Sequence, residues 1–278
     1  MKYVTLPSGE QVPALGMGTY MIGENRSLHA EEIAALQYGI DLGMALIDTA
    51  EMYGKGASEQ LVGEAIRGRH EQVFLVSKVY PHRATHKGMP IACGEYSLKR
   101  LGVDYIDLYL VHWRGDVPLA ETIEAFEQLR SQGKIRYWGV SNFDTDDMRT
   151  LCALPGGEHA AANQVLYALS HRGIEWDLLP YCGERKIPIM AYSPIDRTRL
   201  LHYPGLSTLA EKRGMKPAQL ALAWLLHREQ VIVIPKASSR AHIKQNFAAL
   251  DCPLDTETLA ELDRLFPPPC DASPLEKQ

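Results

Sequence analysis

Short apolar runs and longer amphipathic segments take turns along most of the chain. The runs at 15–18, 45–48, 73–77, 106–111, 137–141, 162–165, 189–192 and 231–234 have the pattern of parallel strands buried on both faces. Between them, apolar residues recur at helical spacing over about 30–42, 58–67, 90–101, 119–132, 144–154, 175–185, 217–227 and 240–250. Helix punctuation agrees with several of these segments. Ser58 followed by Glu59 suits an N-cap, Gly133 after Arg130 suits a C-terminal stop, and Pro217 suits a first helical position. Ahead of the first run, KYVTLPSGEQVPAL alternates around Pro7, Ser8 and Gly9, which predicts a β-hairpin.

Eight strand–helix pairs in strict alternation predict a parallel sheet, and closing it into a barrel removes its edges. The expected fold is therefore α/β: a (β/α)8 TIM barrel with an N-terminal β-hairpin and an irregular C-terminal tail. The rival is an open, doubly wound sheet. Gly16-Met17-Gly18 lacks the third glycine of the dinucleotide fingerprint and opens no helix, which argues against it. The 278 residues suit one closed barrel, and no linker-like stretch divides them, so a single domain over 1–278 is expected. The tail PPPCDASPLEKQ is proline-rich and polar.

Charge and composition narrow the partners. The net charge is −5, without a basic block, which argues against nucleic acid or an anionic membrane as partner. Cys93, Cys152, Cys182, Cys252 and Cys270 stand at no metal-ligand or CxxC spacing, so reduced thiols and no metal are expected. The first 18 residues do not read as a signal peptide. No apolar run approaches the ~20 residues of a membrane span. A soluble, cytoplasmic protein is expected, and nothing here opposes a monomer.

In such a barrel, chemistry sits at the C-terminal ends of the strands. Asp48 ends the second run and Tyr53 follows in the next loop. Lys78 directly follows the third run and His112 the fourth. Taken singly, each has a bland explanation: a cap, a surface aromatic, a solvated lysine, a rim histidine. Gathered on one rim, they form a polar cluster that a barrel has little structural reason to keep. The set suits carbonyl reduction. Hydride addition leaves an alkoxide that must be protonated, and a free phenol near pKa ~10 is a weak donor. An ammonium beside Tyr53 favours its phenolate and lowers that pKa. Asp48 can hold Lys78 charged, and His112 can orient the carbonyl oxygen.

These residues resemble the aldo-keto reductase superfamily. GMALIDTAEMYGKGASEQLVGEAI (43–66) is similar to its first signature, LVSKV (75–79) to its lysine strand and DLYLVHW (107–113) to its histidine strand. GVSNF (139–143), NQV (163–165), AYSP (191–194) and IPKASS (234–239) follow in family order. Within the family, the chain looks most like the bacterial 2,5-diketogluconate reductases and methylglyoxal reductases. The resemblance implies a nicotinamide cofactor, NADPH with some NADH use, extended across the barrel mouth. Asp48, Tyr53, Lys78 and His112 match the catalytic tetrad. Ser141, Asn142 and Gln164 match the residues that hold the carboxamide, Tyr192 the aromatic that stacks on the nicotinamide, and Ser193 a position near the phosphates. Lys236, Ser238, Ser239, His242, Gln245 and Asn246 match the segment at the adenosine end. The resemblance also implies Gly18, Thr19 and Asp48 on the cofactor's side, and Tyr20, Met21, Tyr53, His112 and Trp113 around the substrate.

One departure bears on the cofactor. Members that prefer NADPH strongly often read K-S-x-x-x-x-R, where this chain has Ala237 and His242. A histidine is largely neutral at pH 7 and lacks the bidentate grip of arginine. The preference for NADPH is therefore expected to be less exclusive. The loop from Tyr192 to Pro217 and the short tail imply an open pocket for small reactive aldehydes, including 2-oxoaldehydes. Two other readings are a Schiff-base aldolase acting through Lys78 and a nicotinamide-binding regulatory subunit without turnover.

Overall fold

Eight parallel strands form the ring that the alternating pattern predicts. The computed structural model describes residues 1–84 and 89–278, and the side chains of all of these except 89–93. An antiparallel hairpin comes first, β1 (Tyr3–Thr5) and β2 (Gln11–Pro13). The ring strands are β3 (Met17–Gly18), β4 (Leu46–Asp48), β5 (Phe74–Val79), β6 (Ile106–Val111), β7 (Ile135–Ser141), β8 (Asn163–Leu166), β9 (Ile189–Tyr192) and β10 (Val231–Val233). Each pairs in parallel with the next in the chain. Parallel bridges Leu15–Val233 and Gly18–Lys236 join last to first and close the barrel. Every residue of β5 and β6 is buried, because barrel interior and helix layer cover both faces.

The expected first strand, 15–18, is a two-residue strand preceded by the bridge at Leu15. The fifth ring strand begins two residues earlier than expected, at Ile135. The hairpin turn is tied to the start of β7: Glu10 Oε2 accepts hydrogen bonds from Arg136 at 2.6 Å and from the Tyr137 hydroxyl at 2.7 Å.

The outer helices are α1 (His29–Asp41), α2 (Ala57–Ala65), α3 (Met89–Leu101), α4 (Leu119–Ser131), α5 (Thr145–Cys152), α6 (Leu178–Glu184), α7 (Pro204–Lys212), α8 (Pro217–His227), α9 (Arg240–Phe247) and α10 (Thr256–Leu265). Gly133 sits just past α4 at φ +69, a conformation that costs glycine little, and its N–H closes on the Arg130 carbonyl. Pro217 opens α8 as expected. Ser58 does not cap α2. The N-cap is Gly56 (φ +94), the helix starts at Ala57, and Ser58 is buried inside it.

The stretch between Tyr192 and Pro217 is more structured than the expected loop. It holds a 3-10 turn over Asp196–His202 and then α7, with Pro204 in its first turn. Helix α10 is a further addition, capped by Asp255, which accepts from the Thr258 N–H at 2.8 Å. Residues 267–278 form no helix or strand, as expected of the tail. That tail nevertheless lies on the rim: Glu276 meets His171 at 2.6 Å, and Gln278 donates to Asp196 at 2.7 Å. Cys152, Cys182, Cys252 and Cys270 are free thiols. The side chain of Cys93 falls outside the described residues. Among the described residues, no helix is long and apolar enough to cross a membrane, and no group of side chains is arranged to hold a metal.

Candidate active site

The C-terminal ends of β4, β5 and β6 deliver Asp48, Lys78 and His112 to one end of the barrel. Tyr53 arrives from the turn after β4. That turn is unusual. Gly54, Lys55 and Gly56 all have positive φ, at +54, +55 and +94. Lys55 is the strained member of the three, and Tyr53 stands immediately before this run.

Lys78 is 0% exposed, and each of its three ammonium protons has an acceptor. It donates to Asp48 Oδ2 at 2.7 Å, to the Thr49 carbonyl at 2.9 Å and to the Tyr53 hydroxyl at 3.1 Å. Burial works to lower the Lys78 pKa, but Asp48 and the Tyr53 oxygen outweigh it, so the value is raised and the amine stays an ammonium. This opposes the Schiff-base reading, because an attacking amine needs a free lone pair and an approach.

Asp48 is bound at both oxygens. Gln164 on β8 donates to Oδ1 at 2.7 Å, opposite the lysine on Oδ2. Burial lifts the Tyr53 phenol above its ordinary value; the Lys78 charge pulls it down and Asp48 pushes it up. The lysine does act in the expected direction. The net shift is nevertheless upward, since little solvent reaches the phenolate. Tyr53 therefore holds its proton at neutral pH.

His112 stands edge-on to Tyr53, ring centroids 5.8 Å apart. Burial and then the Lys78 charge depress its pKa to about 3, so the ring is neutral at pH 7. Its Nδ1 is buried and has no hydrogen-bond partner. The ring can thus offer a hydrogen bond to a carbonyl oxygen without adding a second charge beside Lys78.

A second set of polar groups adjoins this cluster. Asn142 adopts φ +58, a left-handed conformation that asparagine tolerates better than most residues. From there its amide donates to the His112 carbonyl at 3.1 Å and accepts from the Tyr192 hydroxyl at 2.9 Å. Ser141 is turned to the Gln164 carbonyl at 2.8 Å. Ser141, Asn142, Gln164 and Tyr192 thus form one hydrogen-bonded patch beside Asp48. Ser193 follows at φ +47. Thr19 is fully buried, and its hydroxyl is engaged by the Asp48 carbonyl at 2.9 Å and by Ser58 at 2.8 Å. Gly18 is buried within β3.

Farther along the rim, Gly18 bridges to Lys236, which is exposed. Ser238 and Ser239 lead into α9, with Ser239 as its N-cap and no acidic residue in the first turn. The first N–H groups of a helix have no intrahelical acceptor and favour an anion. Asn246 is 6% exposed, and its Nδ2 donor is buried without a partner. Gln245 is half-buried and His242 exposed. A buried donor without an acceptor in the last turn of α9, together with an anion-favouring helix start and a lysine on the same segment, fits the adenosine and phosphate end of a dinucleotide. Arg240 turns elsewhere, laid against α1 with its guanidinium 5.9 Å from the Tyr38 ring centroid.

Tyr20 and Met21 are exposed at the mouth. Tyr20 stands edge-on to Tyr53 with ring centroids 5.4 Å apart, and the Arg197 guanidinium lies 6.0 Å from the Tyr20 ring centroid. Trp113 touches His112 at 5.2 Å and Tyr80 at 5.6 Å. Sequence reasoning passed over Tyr80 and Arg197. Tyr80 had a readable signal, an aromatic two residues past the lysine at a strand end. Arg197 had none, since its place depends on the positive-φ run in the 3-10 turn before α7.

Comparison with known proteins agrees with this architecture. The sequence profile described as "Aldo/keto reductase family" matches residues 14–266. The methylglyoxal reductase YeaE of Escherichia coli (strain K12) is 48% identical over 273 residues, covering 96% of each chain. A crystal structure of an aldo-keto reductase from Klebsiella pneumoniae in complex with NADPH superposes with a TM-score of 0.97 at 50% identity, covering 100% of this chain and 99% of that one. A second structure, of an aldo/keto reductase from the same organism with NADP and acetate, gives 0.96 at 50% identity over 99% of both chains.

Proposed function

The chain belongs to the aldo/keto reductase family, and on that premise we propose that it reduces small aldehydes, methylglyoxal among them, to alcohols at the expense of NADPH, with Tyr53 as proton donor. The observation that carries the proposal is the contact of the Tyr53 hydroxyl with the fully buried Lys78 ammonium at 3.1 Å, beside a neutral His112. The cofactor supplies a hydride to the carbonyl carbon when bound. Asn142, Ser141 and Gln164 would hold its carboxamide and Tyr192 its nicotinamide face. Lys236, the start of α9 and Asn246 would hold the adenosine end. The Klebsiella pneumoniae relatives bound to NADPH and NADP support this choice of cofactor.

The neutral His112 ring orients the carbonyl oxygen and steadies the charge that develops there. Tyr53 gives that oxygen its proton. The phenolate left behind is stabilised by the Lys78 ammonium, which loses nothing in solvation because it is already buried and fixed. Asp48 keeps Lys78 charged and, through its other oxygen, takes its own position from Gln164. Tyr20, Tyr80 and Trp113 supply aromatic walls around a small substrate.

Methylglyoxal is the first substrate to test, on the strength of the 48% identical methylglyoxal reductase. Purified protein mixed with methylglyoxal and NADPH should consume the reduced cofactor and form hydroxyacetone or lactaldehyde. Binding of NADPH without turnover of any aldehyde in a broad panel would replace this reading with that of a regulatory subunit.

A further inference from the structure

Behind the barrel wall lies an ion pair that the reaction does not touch. Glu59, in the first turn of α2, is 0% exposed. Its Oε1 accepts from the Ser77 hydroxyl at 2.6 Å, and its Oε2 from Arg100 Nε at 2.5 Å. Arg100 also donates to the Ser97 hydroxyl at 3.1 Å. Its stem lies flat on Gly56: a Cβ at Gly56 would stand 2.6 Å from Arg100 Cδ and 2.8 Å from Nε.

The two ends of this pair flank the phenol–ammonium contact. Ser77 precedes Lys78 on β5, and successive strand residues face opposite ways. Ser77 therefore meets Glu59 on the outside while Lys78 enters the barrel. Gly56 closes the left-handed run that begins after Tyr53. Glu59 and Arg100 thus tie the lysine strand to the end of the tyrosine turn. A fully buried carboxylate is costly unless paired and hydrogen-bonded, and simple helix-to-strand packing would not require one here.

We infer that Arg100 and Glu59 are positioning residues that set the distance between the Tyr53 hydroxyl and Lys78 Nζ from outside the barrel. The inference rests on Tyr53 as proton donor. Lys55 holds a strained φ of +55, so the turn needs an external restraint to keep one geometry. Without the Arg100–Glu59 clamp the turn relaxes, the phenol drifts from the ammonium, and proton delivery slows. The proposed cofactor contacts at Asn142, Gln164, Tyr192 and α9 lie on other strands and loops and stay as they are.

The test compares Arg100→Met, Glu59→Gln and Arg100→Lys with the parent enzyme and with Tyr53→Phe, using methylglyoxal and NADPH. Rates are normalised to molecules competent to bind NADPH, so that loss of folded protein does not count as loss of catalysis. Glu59→Gln keeps side-chain volume and an acceptor for Ser77 but sets an N–H group against Arg100. Arg100→Met and Glu59→Gln should lower kcat roughly 10- to 100-fold, the scale of a small misplacement of reacting groups. KM and the Kd for NADPH should stay within about twofold, a change near the smallest these binding comparisons register. The solvent deuterium isotope effect on kcat should rise as proton delivery becomes limiting, and Arg100→Lys should recover much of the rate. A normalised kcat and isotope effect at the parent values in both Arg100→Met and Glu59→Gln overturn the inference. Full turnover by Tyr53→Phe would instead remove the reading beneath it.

Discussion

Gln164 on β8 donates a 2.7 Å hydrogen bond to Asp48 on β4. The two strands stand four apart in a closed ring of eight, so the contact crosses the barrel mouth. It joins the patch expected to receive the carboxamide to the carboxylate that holds Lys78. Gln164 therefore belongs to both halves of the site.

Replacing Gln164 by leucine should leave a buried carboxylate oxygen without its donor, a loss on the order of 1–3 kcal/mol. The expected outcome is a kcat about 10- to 100-fold lower together with a weaker Kd for NADPH. Steady-state kinetics and cofactor fluorescence titration measure the two effects. A change in Kd alone would restrict Gln164 to cofactor binding.

His112 makes stability depend on acid. The unfolded chain takes up a proton at this residue near the ordinary value of 6.5, whereas the folded ring does so only at about 3. Between those values the unfolded state binds more protons, so stability is retained above 6.5 and lost as pH falls towards 3. The slope reaches up to about 1.4 kcal/mol per pH unit. In a His112→Gln variant, Tm should fall less between pH 7 and pH 4.5 than it does in the parent protein. Parallel Tm curves for the two proteins would contradict this.

The adenosine end predicts a modest cofactor preference. His242 is exposed and Arg240 is drawn towards Tyr38, so under the proposed cofactor placement Lys236 would be the principal cation for a 2′-phosphate. His242→Arg should raise the ratio of kcat/KM with NADPH to that with NADH by about tenfold, roughly 1.4 kcal/mol. The parent enzyme should favour NADPH while still turning over with NADH. Equal or better efficiency with NADH would overturn this expectation.

Periodicity made the ring of strands legible, because strands buried on both faces are continuous apolar runs and the helices between them carry a helical repeat. The rim positions of Asp48, Lys78 and His112 followed from the strand ends. Other features depend on contacts distant in sequence. Glu59 and Arg100 are 41 residues apart, and Gln164 and Asp48 are 116 apart; no local pattern announces either pair. Ser58 had the chemistry of a cap, but Gly56 and its left-handed φ moved the helix start and turned Ser58 to Thr19 and Thr49. The pKa of Tyr53 was out of reach for the same reason. The lysine's pull could be anticipated from residue types, whereas the larger push from burial belongs to the folded barrel. Helix α10 was readable in principle, from Asp255 three residues before Thr258 and the amphipathic run behind it.

The most direct test of the account is a single turnover of methylglyoxal by the Tyr53→Phe variant preloaded with NADPH. A phenyl ring keeps the packing against Tyr20 and His112 while removing the hydroxyl whose oxygen accepts from Lys78 and whose proton goes to the substrate in this account. Cofactor should bind as before, and the rate of its oxidation should drop about 100- to 10,000-fold, the usual contribution of a positioned acid. Oxidation at close to the parent rate would contradict the assignment of the proton to this phenol.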